Sequence, residues 1–289
     1  MLEVSGLNHA FAKSEVLKDV GFTLQDGRVV GLVGINGAGK STLLRLLSGV
    51  YLNQSGTVAY NGSSPSLAQV RKDIFFLPDD PFYTNNSTCK SLFDLYKTLY
   101  PEADIKIFKA ITEEFGLPEK KPIRTFSKGM RRQVFVALAF AISPKYLLLD
   151  EAFDGLDPIA RKKFKDRIRN LVKAKGTMVI ISSHSLKELD DFCDEYLLIE
   201  DGSVISTESK YKDNEDYCKY QLAFADKVDE SAFADLPVIN VRIVGRVVTL
   251  TLRNEEGILE RLKALDPVLI DPLEVTFEEA FITDMGGRS

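Results

Sequence analysis

Eight residues in a row, Gly34-Ile35-Asn36-Gly37-Ala38-Gly39-Lys40-Ser41, have the spacing G-x-x-x-x-G-K-[ST] of a phosphate-binding loop. Glycines let successive backbone N–H groups turn inward and approach phosphate oxygens with no Cβ in the way. Lys40 places a point charge on the β- and γ-phosphates, Ser41 offers a hydroxyl to Mg2+, and Thr42 continues the turn behind them. A second group lies about a hundred residues on, where the apolar run YLLL ends in Asp150 and Glu151. Asp150 suits the metal. Glu151 suits a general base that polarises an attacking water. Either feature alone has a plain structural explanation, a glycine turn or a surface strand end. Together they predict a nucleoside triphosphatase that uses Mg2+.

Those groups need elements that bring them together. The apolar, β-branched run Val29 to Val33 enters the glycine loop, and the amphipathic stretch Ser41 to Leu47 leaves it, giving strand, loop, helix. A helix starting near Lys40 adds its positive dipole end beneath the anion. YLLLDE reads as a buried strand, residues 159 to 174 as a charged helix, and Thr177 to Ser182 as another buried strand. Such alternation predicts an α/β fold, a mostly parallel sheet covered on both faces, with ligands at the carboxyl ends of its strands. The opening residues read as short strands and turns, residues 82 to 140 as helical, and Asp201-Gly202 as a hairpin turn.

Net charge is −5 overall but uneven: from Tyr211 onward there are 9 Lys or Arg against 16 Asp or Glu, a net of −7. An acidic tail is a poor match to a phosphate backbone, so no nucleic-acid partner is expected. Cys89, Cys193 and Cys218 are odd in number and have no paired-ligand spacing, as expected of reduced thiols in a cytosolic protein. The N-terminus lacks the pattern of a signal peptide, and the longest apolar run, Val134 to Ile142, is half the length of a membrane span. Work at a membrane would need another chain.

Phe126-Ser127-Lys128-Gly129-Met130, 20 residues before Asp150, narrows the choice. It resembles the L-S-G-G-Q signature of the ABC ATP-binding subunits, in an S-K-G-M form seen among exporter-type members. Asp154-Gly155-Leu156-Asp157-Pro158 resembles the family's D-loop, His184 its switch histidine, and Phe11, 23 residues before Gly34, its adenine-stacking aromatic. Phe11 fits a core aromatic as well. The resemblance covers about residues 1 to 205. It implies a P-loop domain with an N-terminal antiparallel β part and a helical signature subdomain.

It also implies two copies, identical or homologous, paired head to tail. Each ATP would lie between the P-loop of one copy and Ser127, Gly129 and Asp157 of the other, with His184 linking the γ-phosphate to Glu151. A separate integral membrane subunit would be driven from the inner face of the cell membrane. Residues 79 to 100 are the expected docking face, with PFYTNN, Leu92, Phe93 and Tyr96 as exposed-looking apolar and aromatic groups; packing inside the helical subdomain fits each of those residues equally well. A soluble motor acting on ribosomes or DNA, or a signalling module, are the alternatives.

Two positions depart from the family pattern. Asp79 stands where Gln is usual and is expected to keep the metal and coupling role, with a plain loop carboxylate as the alternative; Lys128 replaces the first signature glycine, adding charge beside the phosphates or pointing into solvent. His9 reads as structural and Arg161-Lys162-Lys163 as a solvated face. Residues 1–206 form the expected nucleotide domain and 207–216 a linker. Residues 217–289 read as a small α+β accessory domain whose strand-helix-strand-strand-helix-strand order is compatible with a ferredoxin-like unit, with a further helix, FEEAFITDM, after the last strand.

Overall fold

The computed structural model describes residues 1–289 except 13, 185–187, 190, 191, 207–216 and 276–289. The expected linker and the expected helix FEEAFITDM lie outside the described residues. Along the chain come strands Leu2–Phe11 (β1), Ser14–Leu24 (β2) and Val29–Val33 (β3), then helix Lys40–Leu47 (α1). Ser55–Tyr60 (β4), the short helix Ala68–Arg71 (α2) and Ile74–Leu77 (β5) follow. Helices Cys89–Leu99 (α3), Ile105–Glu114 (α4) and Lys128–Ile142 (α5) fill the expected helical region. Tyr146–Leu149 (β6), Pro158–Lys175 (α6), Met178–Ser183 (β7), Glu195–Glu200 (β8) and Ser203–Ser206 (β9) complete the first part.

The two sheets of this part follow from their burial patterns. β3, β6 and β7 are buried along their whole length, as strands covered on both faces must be. They lie in a six-stranded sheet of order β5-β6-β7-β3-β8-β9, parallel except for the β8–β9 hairpin. Its turn, Asp201-Gly202, has two positive φ angles, which matches the right-handed twist of the paired strands. β1 and β2 alternate instead, and with β4 they form an antiparallel sheet of order β2-β1-β4.

Helix ends are set by local chemistry. α6 starts on Asp157, whose carboxylate accepts from the N–H groups of Ile159 and Ala160, has Pro158 in its first turn, and stops at Gly176 with φ 65°. Thr88 and Ser91 form a reciprocal capping box on α3. Leu92 and Phe93 are 2% and 3% exposed. They belong to the helical core, with Phe93 packed on Phe108, and so cannot serve the expected docking face. The exposed apolar groups there are Phe82, Leu95 and Leu99.

The chain divides into two compact units, Met1–Thr207 and Glu208–Ser289. The second unit has strands Tyr217–Ala223 (β10), Val238–Val244 (β11), Val247–Arg253 (β12) and Leu269–Leu273 (β13). A 3-10 turn, Glu230–Phe233, and one helix, Ile258–Lys263 (α7), connect them. The sheet order is β11-β12-β10-β13 with every neighbouring pair antiparallel. Leu222, Val248, Leu250 and Leu252 of its central strands pack with Phe233, Ile258 and Leu262 in a small separate core.

Candidate nucleotide-binding site

Parallel strands in register end together, so the segments that follow them share one edge. Val33 of β3 pairs with Ser183 of β7, Leu149 of β6 with Ile181, and Leu77 of β5 with Leu149. The phosphate loop, His184, the Asp150–Glu151 pair and Asp79 are the segments leaving those four strand ends.

The loop is shaped by its glycines. Gly37 and Gly39 have φ of 86° and 106°, a region in which side-chain-bearing residues are strained. A Cβ on Gly34 would stand 2.7 Å from the Ile199 carbonyl oxygen of β8, so the loop starts hard against the sheet. Lys40 is 6% exposed, and its Nζ donates to the carbonyls of Gly34 at 2.7 Å and Ile35 at 3.2 Å. Those bonds hold the ammonium across the mouth of its own loop.

Glu151 links this ammonium to the histidine. Its Oε1 lies 3.7 Å from Lys40 Nζ and its Oε2 3.0 Å from His184 Nδ1. Its backbone adopts φ 46°, a conformation costing about 1–3 kcal/mol for a side-chain-bearing residue. The Glu151 N–H donates to Ser182 Oγ at 2.9 Å, which offsets part of that strain and aims the carboxylate at the loop. Ser182 Oγ in turn donates to Asp150 Oδ1 at 2.8 Å. Asp150 is fully buried, and its other oxygen has no hydrogen-bond partner among the described residues. An orphaned, buried carboxylate oxygen beside a phosphate loop fits a magnesium-bound water, the chemistry that a Mg2+–nucleotide ligand would supply.

A cavity of about 360 Å3 is lined by Val16, Asn36, Gly37, Gly39, Lys40, Ser41, Thr42, Asp79 and Glu151. Ala38 closes the loop behind it through its N–H to the Ile35 carbonyl at 3.2 Å. Phe11 does not line this cavity. It is 46% exposed and packs edge-on against His9 and Tyr51, with His9 buried and stacked on Tyr51. Val16, which the sequence reading missed, lines the cavity from β2.

Three predicted site residues stand on helix starts. Ser127 caps α5, its Oγ accepting from the Met130 N–H at 3.2 Å. Gly129 in the first turn admits the Gly155 carbonyl oxygen to within 2.3 Å of where a Cβ would sit, so the signature loop and the 154–158 loop touch. Asp157 caps α6, and among the described residues its recorded bonds are those capping bonds. Asp79 is engaged by cations: Arg132 Nη2 is 2.8 Å and Lys128 Nζ 3.5 Å from its Oδ1. Among the described residues, the carboxylate and imidazole atoms close enough to share one cation are those of Glu151, Asp154 and His184, within 4.8 Å; Asp79 and Asp150 are outside that group.

The family model described as "ABC transporter" matches residues 17–154. The ABC transporter ATP-binding protein YtrB of Bacillus subtilis (strain 168) is 31% identical over 291 residues, covering 100% of this chain and 99% of that protein. The chain belongs to the ABC transporter ATP-binding proteins. The lantibiotic transport ATP-binding protein SrtF of Streptococcus pyogenes is 31% identical to this ABC protein over 216 residues, 74% of this chain and 93% of its own. A solved ATP-binding subunit of an ABC transporter matches 72% of the chain at 28% identity, covering 89% of that structure, with a TM-score of 0.66. Like other ABC ATP-binding proteins it has a P-loop fold with a helical signature region, here followed by a small α+β unit.

Two residues that hydrogen-bond the site segments of the ABC domain were missed in its sequence. Ser182 was visible only as a hydroxyl at the end of an apolar strand. Arg132 stood in a basic run with nothing local to mark it as buried. Arg161, expected to be solvated, pairs with Glu188 at 2.7 Å, and Lys163 with Glu114 at 3.1 Å.

Proposed function

We propose that this chain binds and hydrolyses ATP with Mg2+ to drive a separate membrane-embedded transport subunit, as an exporter. The observation that carries the reading is Glu151, held between Lys40 at 3.7 Å and His184 at 3.0 Å on the rim of the phosphate-loop cavity. A carboxylate so placed can take a proton from a water lying in line with a γ-phosphate. His184, bonded to the same carboxylate, orients it and can reach the phosphate. Bound Mg2+ would neutralise charge on the β- and γ-phosphates, with Ser41 and Asp150 as its holders. Lys40 and the loop N–H groups bind and orient the phosphates. Adenine would lie toward Val16 and Phe11.

Ser127 at the start of a 15-residue helix is suited to the far side of a second copy's phosphate, where hydroxyl, free N–H groups and helix dipole converge. Head-to-tail pairing with an identical or homologous subunit then completes each site with Ser127, Gly129 and Asp157 of the partner. ATP closes the pair and hydrolysis reopens it. No helix of the described residues is long and apolar enough to cross a membrane. The membrane partner would dock from the cytoplasmic side in the roughly 360 Å3 groove between Val50, Arg71 and the Tyr96–Tyr100 end of α3. The transport names of YtrB and SrtF support this reading. The acidic second unit would regulate turnover or pairing.

The test is purification of Glu151→Gln protein with ATP from cells in mild detergent. Binding should survive loss of the base, so the ATP-closed assembly accumulates with its partner. Recovery of a multi-span membrane protein is expected. Recovery of ribosomes, DNA or the chain alone would remove the transporter reading and favour a soluble motor; a co-purified sensor would favour a signalling module.

A further inference from the structure

Asp79 borders the phosphate cavity beside Lys40, Ser41 and Glu151, yet its carboxylate is committed elsewhere. One guanidinium holds the whole segment. Arg132 Nη1 donates to the Pro78 carbonyl at 2.8 Å, and Nη2 donates both to the Asp79 carbonyl and to Asp79 Oδ1, each at 2.8 Å. The Arg132 side chain is 2% exposed. A guanidinium that buried is stable only with its donors satisfied and its charge matched. Burial pulls its pKa below the ordinary arginine value, and the Asp79 carboxylate opposes that pull. Lys128, one helical turn earlier on the same face of α5, adds a second cation 3.5 Å from the same oxygen and 3.8 Å from Asp154 Oδ2.

We propose that Arg132 is a positioning residue that makes Asp79 an anchor of the signature helix α5 rather than a ligand of the metal. The inference rests on the ATPase reading above for its catalytic consequence. The strut ties the end of β5, at the chain's own phosphate cavity, to the helix whose N-cap, Ser127, would serve the second copy's ATP. Each chain thereby couples the half-site it owns to the half-site it lends. Two cations on one carboxylate also cancel a negative charge that would otherwise face a triphosphate. Lys128, 58% exposed, is the solvated member. Arg132 is the buried one.

The test uses full-length Asp79→Asn, Arg132→Gln, the double variant and Arg132→Lys, with turnover titrated separately in ATP and Mg2+. Thermal unfolding of the nucleotide-free proteins is recorded alongside. Each of the first two should lower kcat about tenfold, as misplacement of a supporting group does, with half-saturating Mg2+ unchanged within about twofold. The double variant should be no worse than the poorer single one, in both kcat and unfolding temperature. Arg132→Lys should recover part of the loss, because it keeps the charge but not the forked donors. A rise of about tenfold or more in half-saturating Mg2+ for Asp79→Asn alone would make Asp79 a metal ligand and overturn the proposal. Losses that multiply in the double variant would also overturn it. Should the unaltered protein neither bind nor hydrolyse ATP, the ATPase reading fails, and unfolding alone then judges the strut: a non-additive double variant supports it and an additive one removes it.

Discussion

In the first 207 residues the buried strands run parallel and end in register, so segments leaving β3, β5, β6 and β7 meet at one edge. Among the described residues of the second unit every neighbouring strand pair is antiparallel, so strand ends are divided between two edges, β10 and β11 at one and β12 and β13 at the other. The first arrangement gathers a lysine, two adjacent carboxylates, a histidine and a glycine loop from stretches up to 150 residues apart. The second splits its strand ends between two edges and gathers apolar side chains into its core. Strand direction, more than composition, decides which unit can do chemistry.

The contrast breaks most sharply at the base. Glu151→Gln should lower turnover by roughly 10²–10⁴-fold, whereas Asp271→Asn on the exposed edge strand β13 should leave it within about twofold. A comparable loss from Asp271→Asn in a steady-state ATPase assay would mean that the second unit contributes to chemistry. Next come the cores. Leu148→Ala in β6 and Leu250→Ala in β12, both fully buried, should each cost about 2–5 kcal/mol. Calorimetry should find the Leu250 change confined to one transition, with ATP binding retained. Loss of binding would show that the units do not unfold separately.

A finer probe is Gly129→Ala, whose Cβ would sit 2.3 Å from the Gly155 carbonyl oxygen. Overpacking there should cost about 1–3 kcal/mol and displace Ser127, so light scattering with ATP should show weaker pairing in the Glu151→Gln background. Unchanged stability would mean that the two loops separate freely.

The smallest effect is at Glu114. Hydrogen bonds from Arg167, then Lys163, hold its carboxyl below the ordinary value of 4.5. With the folded pKa below the unfolded one, this contribution is present above about pH 4.5 and fades as pH falls through the folded value. Because the pair is partly solvated, Glu114→Gln should cost less than about 1 kcal/mol at neutral pH and flatten the acid side of the stability curve. A larger loss in urea titrations would mark these charges as a buried network.

How much was legible varied with distance along the chain. The P-loop and the YLLLDE strand end are each contained within a few residues, so spacing alone carries their geometry. The same holds for the Asp201-Gly202 hairpin. For Leu92 and Phe93 the sequence left surface and core equally open, because the 3.6-residue pattern shows that a helix has an apolar face but not what covers it; the structure buries both. The contact between Asp79 and Arg132 was not legible, because the two partners lie 53 residues apart.

By itself, the sequence determined the strand-loop-helix that binds phosphate, the tandem carboxylates, the helix caps and the period of each strand, since these depend on neighbours in the chain. Only the tertiary structure decided that Ser182 orients both Asp150 and Glu151, that Gly129 meets Gly155, and that Asp79 answers to Arg132. Those contacts join residues 26 to 53 positions apart. Their partners are chosen by sheet register and helix packing, which no local pattern encodes.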